Sequence, residues 1–176
     1  MQAVNDANLS FPNAVKSFEP IVAIDISDLL TPKLYHLMRR VMTDAGLSTY
    51  TAKNFYNRER PFMVNGKKVC TPDQEEILRK VGAFPSGHAA VGWAWALVLS
   101  ELFPDKKELI LKGGHDFGES RVVCNVHWYS DVVKGREMGE AVVRCLYSNA
   151  VFNADLKLVK EEIIQVLDSK KKINNV

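Results

Sequence analysis

Residues 83–102 read AFPSGHAAVGWAWALVLSEL, and the apolar run inside this stretch, from Ala89 to Leu99, decides the fold class. The run AAVGWAWALVL is about half of the roughly 20 residues needed to cross a bilayer, so it reads as a helix buried in a protein core rather than as a membrane span. Trp93 and Trp95 lie two positions apart and must face different sides of that helix, one toward the core and one toward a surface.

Outward from this helix, the punctuation is that of helices joined by short loops. Upstream, Thr31 reads as an N-cap with Pro32 in the first helical position, and Leu34, Leu37, Met38, Val41 and Met42 follow at helical spacing until Gly46 closes the helix. A second segment from about Ser48 carries Tyr50, Lys53 and Tyr56 toward Arg60, where Pro61 disfavours helical geometry in the residue before it. Lys53 and Arg60, two turns apart, could then share a face. Thr71-Pro72-Asp73-Gln74 has the form of a capping box, opening a helix to about Lys80 that Gly82 stops.

Downstream, the apolar helix should end near Phe103, and Pro104-Asp105 opens a further helix reaching Glu119 across the diglycine Gly113-Gly114. Val122 to Val126 is rich in β-branched residues and reads as a short extended connector, but no partner run alternates cleanly enough to pair with it. A long helix is expected from about His127 through Val143. Ser148-Asn149 breaks it before a final amphipathic helix near Ala154 to Leu167. The expectation is an all-α, compact single-domain helical bundle over residues 1–169, followed by a flexible basic tail over 170–176.

The 176 residues with 47% hydrophobic content suit one domain with one substantial core. With 23 basic and 21 acidic residues the net charge is only +2, so no global field argues for nucleic acid or an acidic membrane surface, and any anion specificity must be local. Cys70, Cys124 and Cys145 are too few for a disulfide scaffold and include no CxxC pair of the structural-zinc kind; one bridge plus a free thiol stays open. Met1 to Val15 carries neither a basic start nor an apolar core of an export signal, as expected of a mature or trimmed secreted protein.

Three clusters carry the chemistry: Lys53 with Arg60-Pro61, then Pro85-Ser86-Gly87-His88, then Ser120-Arg121 with His127 and Asp131. Their order and spacing, K-x6-R-P, P-S-G-H and S-R-x5-H-x3-D, resemble the signature of the type 2 phosphatidic acid phosphatase and vanadium haloperoxidase superfamily. Each fixed position arises by chance roughly one time in twenty, so the joint match is not accidental. The stretches AFPSGHAAVGWAWALVLSEL, GESRVVCNVHWYSDV and AVVRCLYSNAVFNADL also look like the bacterial class A non-specific acid phosphatases, over about Asn8 to Glu162.

Physical chemistry supports what the resemblance implies. A phosphoryl group in transfer needs its equatorial oxygens held by fixed donors while nucleophile and leaving group stand in line. Lys53, Arg60 and Arg121 supply positive charge, the arginines with bidentate capacity. Ser86 and Gly87 sit where the apolar helix begins, where a hydroxyl and free N–H groups face an anion. His127 and Asp131, read as one helical turn apart, make a nucleophile and the carboxylate that fixes its tautomer. The resemblance places His88 as the general acid, which would have to be charged while His127 is neutral, giving a bell-shaped, acidic optimum. No metal or other cofactor is called for.

The function expected is therefore a phosphatase of small phosphomonoesters, of broad specificity, acting through a phosphohistidine, able to pass phosphate to an alcohol, and inhibited by phosphate or vanadate. The resemblance further suggests a periplasmic homo-oligomer with Trp93 or Trp95 at its interface, and no nucleic-acid or membrane partner. A vanadate-dependent haloperoxidase would use the same clusters, but the chain length and the closer match to acid phosphatases disfavour it. A membrane lipid phosphatase should show several long apolar spans, and this chain has none. His36 and His115 lack partners at ligand spacing and read as structural or exposed, while Glu119 could face either a site cation or solvent. The resemblance also implies more helical sequence before Asn8, and three departures at the rim: Ala89 for a hydroxyl residue, Asn125 for glycine and Tyr129 for glutamine. Asn125 can still take a left-handed conformation.

Overall fold

The computed structural model describes residues 2–174, and every regular element among them is helical. Six helices form the body: α1 (Pro32–Ser48), α2 (Tyr50–Tyr56), α3 (Gly87–Leu102), α4 (Lys107–Val123), α5 (Tyr129–Tyr147) and α6 (Ala150–Asn174). The apolar run is α3. It packs against α1, α4 and α5 at once, and eleven of its sixteen residues are buried, so it lacks the polar face an outer helix needs. Trp95 is fully enclosed and gives its indole N–H to the Met38 carbonyl at 2.9 Å, while Trp93 is only half-buried. Trp95 is thus a core residue and is excluded as an interface anchor.

Small residues set how closely these helices approach. A Cβ on Gly139 of α5 would stand 2.3 Å from the Ala90 carbonyl oxygen, and one on Gly135 would stand 2.3 Å from the Ser86 carbonyl oxygen. Only the hydrogen of glycine fits there. Distant parts of the chain are joined at the start of α1, where the Lys33 and Leu34 N–H groups donate to Glu162 of α6 at 3.0 and 2.9 Å. Thr31 caps nothing with its side chain; its hydroxyl donates to the Asp25 carbonyl at 2.8 Å.

Several boundaries differ from the sequence reading. Gly46 does not close α1, which runs on to Ser48 because the left-handed turns fall instead at Asn57 and Gly66. Lys53 and Arg60 share no helix face: α2 ends at Tyr56, Asn57 turns the chain at φ 39°, and Arg60 is extended. Thr71 donates its hydroxyl to the Gln74 side chain at 3.0 Å rather than capping, and the helix after it is short, Glu75–Arg79. Val122 and Val123 end α4, so the extended connector is absent; Cys124 to Val126 form a turn with Asn125 at φ 60°. His127 lies before α5 rather than on it, because the Asp131 carboxylate starts the helix by accepting the Trp128 N–H at 2.8 Å.

Helix α6 continues past Leu167. Lys170 donates to the Ala23 carbonyl at 2.9 Å, so the expected basic tail is helical as far as Asn174, and its last two residues lie outside the described ones. Cys70 and Cys124 form a disulfide, leaving Cys145 free.

Substituting Gly135→Ala should destabilise the protein by about 1–3 kcal/mol, since overpacking against a backbone carbonyl outweighs the helix propensity gained. Urea denaturation measures this, and an unchanged or raised midpoint would refute the close packing.

Candidate active site

The three clusters converge on one cavity of about 360 Å³, whose lining includes Lys53, Arg60, Gly87, His88, Arg121 and His127. Ser86 and Asp131 lie immediately behind it, both fully buried. A wider hollow of about 660 Å³ near Asn13–Ser17 carries the single cation Lys16 and neither histidine of the clusters.

Two of the three cations are held by carbonyl oxygens. Lys53, in the last turn of α2, gives Nζ to the Gly82 carbonyl at 3.0 Å. Arg60 directs Nε to the Leu78 and Val81 carbonyls at 2.8 and 3.1 Å and Nη1 to the Val126 carbonyl at 2.9 Å. Arg121 lies in the last turn of α4, and its carbonyl accepts both the Val126 and His127 N–H groups at 3.2 Å, so the turn at Asn125 brings His127 back beside it. Its own Nε and Nη1 are buried with no acceptor among the described residues. Burial, and then Arg60, lowers the Lys53 pKa to about 7; burial also brings Arg60 and Arg121 down to about 10. Such a set is short of negative charge and fits a tetrahedral anion.

His127 has a defined tautomer. Arg60 Nη1 lies 3.2 Å from its Nε2, and a guanidinium can only donate, so the Nε2 lone pair is turned toward the cavity cations. The proton is left to Nδ1, which stands 3.4 Å from Asp131 Oδ2, beside the carboxylate but outside a well-formed hydrogen bond. Asp131 is itself anchored by the Trp128 N–H and by Arg58 Nη1, which reaches Oδ1 at 2.7 Å. Burial raises the Asp131 carboxyl above its ordinary range; the Trp128 N–H and Arg58 oppose that rise.

His88 is arranged the other way. Its Nε2 lies 3.1 Å from the Ala7 carbonyl, which can only accept, so this nitrogen keeps its proton and Nδ1 remains for chemistry. Burial holds both imidazoles well below the usual histidine range, with Arg121 next for His88 and Arg60 next for His127. These surroundings favour a neutral imidazole at both positions, and so oppose the charge expected on His88.

All eight sequence-predicted residues lie at this cavity or directly behind it. Ser86 uses its hydroxyl oxygen to accept the Ala89 N–H at 3.3 Å, as the N-cap of α3. At Gly87, an added Cβ would point at Thr49 and Lys53 at 3.5 and 3.9 Å, so the glycine keeps the cavity open rather than relieving a clash. His36 and His115 are exposed and outside the cavity, and Glu119 pairs with Arg136 at 2.8 Å rather than with a site cation. Three participants were missed. Arg58 was legible only as the other arginine of R-E-R-P, and the Ala7 carbonyl carries no side-chain signal. Asp6 is buried near Ser120 and Arg121 with its carboxyl pushed up by burial to about 6, and lies 115 positions from Arg121 in the chain.

A cradle of buried cations around an imidazole with an oriented tautomer, carried on a helical domain, fits the class of phosphate-handling proteins. The comparison with known families agrees: residues 37–154 match the PAP2 superfamily, and the chain belongs to it. It is 39% identical over 163 residues to a non-specific acid phosphatase of Salmonella typhimurium, covering 92% of this chain and 65% of that protein. A non-specific acid phosphatase of Providencia stuartii is also 39% identical, over 94% of this chain and 67% of its own length. An acid phosphatase of Zymomonas mobilis is 36% identical over 92% and 61% respectively. The chain thus spans about two thirds of the length of these curated relatives.

With a Lys53 pKa of about 7, the ammonium is mostly charged at pH 6 and mostly neutral at pH 8. The dissociation constant of inorganic phosphate, measured by calorimetry for wild type and Lys53→Arg, should therefore diverge about tenfold in favour of the variant over that interval. A pH-independent ratio would show that Lys53 keeps its proton.

Proposed function

We propose that this protein is a metal-independent acid phosphatase that hydrolyses small phosphomonoesters of broad specificity through a phosphohistidine on His127. Lys53, Arg60 and Arg121, with the N–H groups at the start of α3 behind Ser86 and Gly87, hold the three equatorial oxygens. The Nε2 lone pair of His127 forms the N–P bond as the ester P–O bond breaks, and the departing oxygen takes a proton from His88 Nδ1. In the second half, water attacks phosphorus, His88 takes the water's proton, and the N–P bond breaks to release phosphate and restore the imidazole. An alcohol in place of water makes the same step a phosphotransfer.

The observation that carries this reading is the pairing at His127: a donor-only guanidinium at Nε2 and a buried carboxylate beside Nδ1. Burial and Arg121 oppose a proton on His88 in the chain alone, and the incoming phosphate dianion offsets Arg121 and Lys53 and so favours a proton on the acid. Activity should accordingly lie on the acid side of neutrality. The names of the relatives, non-specific acid phosphatase and acid phosphatase, support the same reaction. The Cys70–Cys124 disulfide supports an oxidising, extracytoplasmic compartment, and among the described residues no helix is long and apolar enough to cross a membrane. Assembly as a homo-oligomer belongs to this proposal, with half-buried Trp93 available to an interface.

Rapid acid-free quenching with labelled p-nitrophenyl phosphate should trap an acid-labile phosphoenzyme in wild type and none in His127→Ala, with turnover reduced by several orders of magnitude. Unimpaired turnover in the variant would eliminate the phosphohistidine.

Arg58→Gln removes a charged hydrogen bond from Asp131, which should lower kcat about 10–100-fold with little change in KM. Because Asp131 then protonates more readily, the acid limb of the pH–rate profile should move to higher pH, and Arg58→Lys should recover part of both effects. A lowered Tm with an unmoved profile would reduce Arg58 to a support for the Trp128 ring, which it overlies at 5.4 Å.

A further inference from the structure

The lining of the catalytic cavity divides chemically into the cations and histidines already described and a group of large apolar side chains. Leu9, Met42, Leu47, Tyr50, Leu78 and Val81 come from four separate parts of the chain to line the same space. Leu47, Tyr50 and Val81 are 62%, 54% and 38% exposed. Core packing therefore does not explain their apolar character, whereas a ligand lying against them would.

Polar partners are scarce in this lining. It contains no aspartate, glutamate, asparagine or glutamine. Its two threonines have their hydroxyl protons committed within the helix turns that carry them: Thr43 donates to the Arg39 carbonyl at 3.1 Å, and Thr49 to the Gly46 carbonyl at 2.8 Å. Hydroxyl groups on a leaving alcohol would find no carboxylate or amide in this surface and only the Thr43, Thr49 and Tyr50 oxygens as side-chain acceptors, and any group left unpaired there weighs against binding. Alkyl or aryl carbon meets no such obstacle and gains from burial. At about 360 Å³ the cavity lies at the low end of small-molecule sites, enough for a phosphate and a short apolar group.

We infer that the apolar lining of the active-site cavity is a leaving-group subsite that selects phosphomonoesters of apolar alcohols over those of polyols. The inference rests on the phosphatase reading and narrows its broad specificity to a ranked preference. Leu47, Tyr50 and Val81 set that preference because they are the members of the lining whose side chains are not already committed to the core.

The test compares kcat/KM for ethyl, butyl and hexyl phosphate, and for butyl against 4-hydroxybutyl phosphate, a pair whose leaving oxygens have closely similar basicity. Wild type should gain about tenfold from ethyl to butyl, and should prefer butyl to 4-hydroxybutyl by a comparable factor. In the double variant Leu47→Asn/Val81→Asn, at two partly exposed positions, the butyl to 4-hydroxybutyl ratio should fall toward one. A wild-type ratio near one overturns the inference, as does a tenfold ratio that survives in the folded double variant. Either result, obtained with active enzyme, leaves the phosphatase reading standing; failure of wild type to turn over any ester overturns both.

Discussion

The backbone of Ser86 is clamped between two parts of the loop and helix that carry His127 and Asp131. Its N–H donates to the Asp131 carbonyl at 2.9 Å, and its own carbonyl lies where a Cβ on Gly135 would come within 2.3 Å. Through this clamp the phosphate-facing start of α3 and the nucleophile's support move as one body. The consequence is geometric: His88, the proposed general acid, sits two residues after Ser86, and His127, the proposed nucleophile, four before Asp131, so their separation is set by main chain rather than by flexible side chains. Positioning of this kind is what in-line phosphoryl transfer demands of a protein.

Around the clamp the electrostatics are deliberately unbalanced. Lys53, Arg60 and Arg121 are all buried, and carbonyl dipoles solvate the first two in place of water. The carboxylates nearby are Asp131, committed to His127, Trp128 and Arg58, and Asp6 near Arg121. Because Lys53 is held below its unfolded value, the folded state binds fewer protons than the unfolded state between about pH 7 and the ordinary lysine range, and this group contributes stability that rises with pH across that window. Below it, the charged ammonium is a cost to the fold. An anion in the cavity offsets that cost, so a site strained by its own cations is also preorganised for the charge it receives.

How much of this was legible in the sequence follows from what kind of interaction does each job. The apolar run of α3 announces itself by composition, and the eight site residues by cluster spacing, because both are local patterns. Asn125 could be read as tolerating a left-handed turn, and it stands at φ 60°. What escaped was set by contact between distant segments. Glu162 caps α1 from 128 positions beyond Leu34, and no pattern near either residue records it. Arg58 was passed over because an exposed arginine beside a stronger motif looks like solvated surface, and the Ala7 carbonyl has no residue type to read. Helix limits failed where a side chain had to choose between partners: the Asp131 carboxylate starts α5 after His127, and so the two were never on one helical face.

The two histidines show why those missed contacts matter. Imidazole is the same ring in both, buried at His127 and half-buried at His88, and both rings feel Arg121 and Lys53. The neighbours make them different. Arg60 cannot accept a hydrogen bond, so His127 must offer it a lone pair at Nε2; the Ala7 carbonyl cannot donate one, so His88 must offer it a proton at Nε2. One ring is thereby left with its proton on the far side from the cations and a nucleophilic nitrogen among them. The other keeps its Nε2 proton bound to main chain and leaves Nδ1 free for the proton transfer proposed for it. The division of labour proposed for the two rings thus lies in their donor-only and acceptor-only partners, one supplied by a motif arginine and the other by a backbone atom from the beginning of the chain.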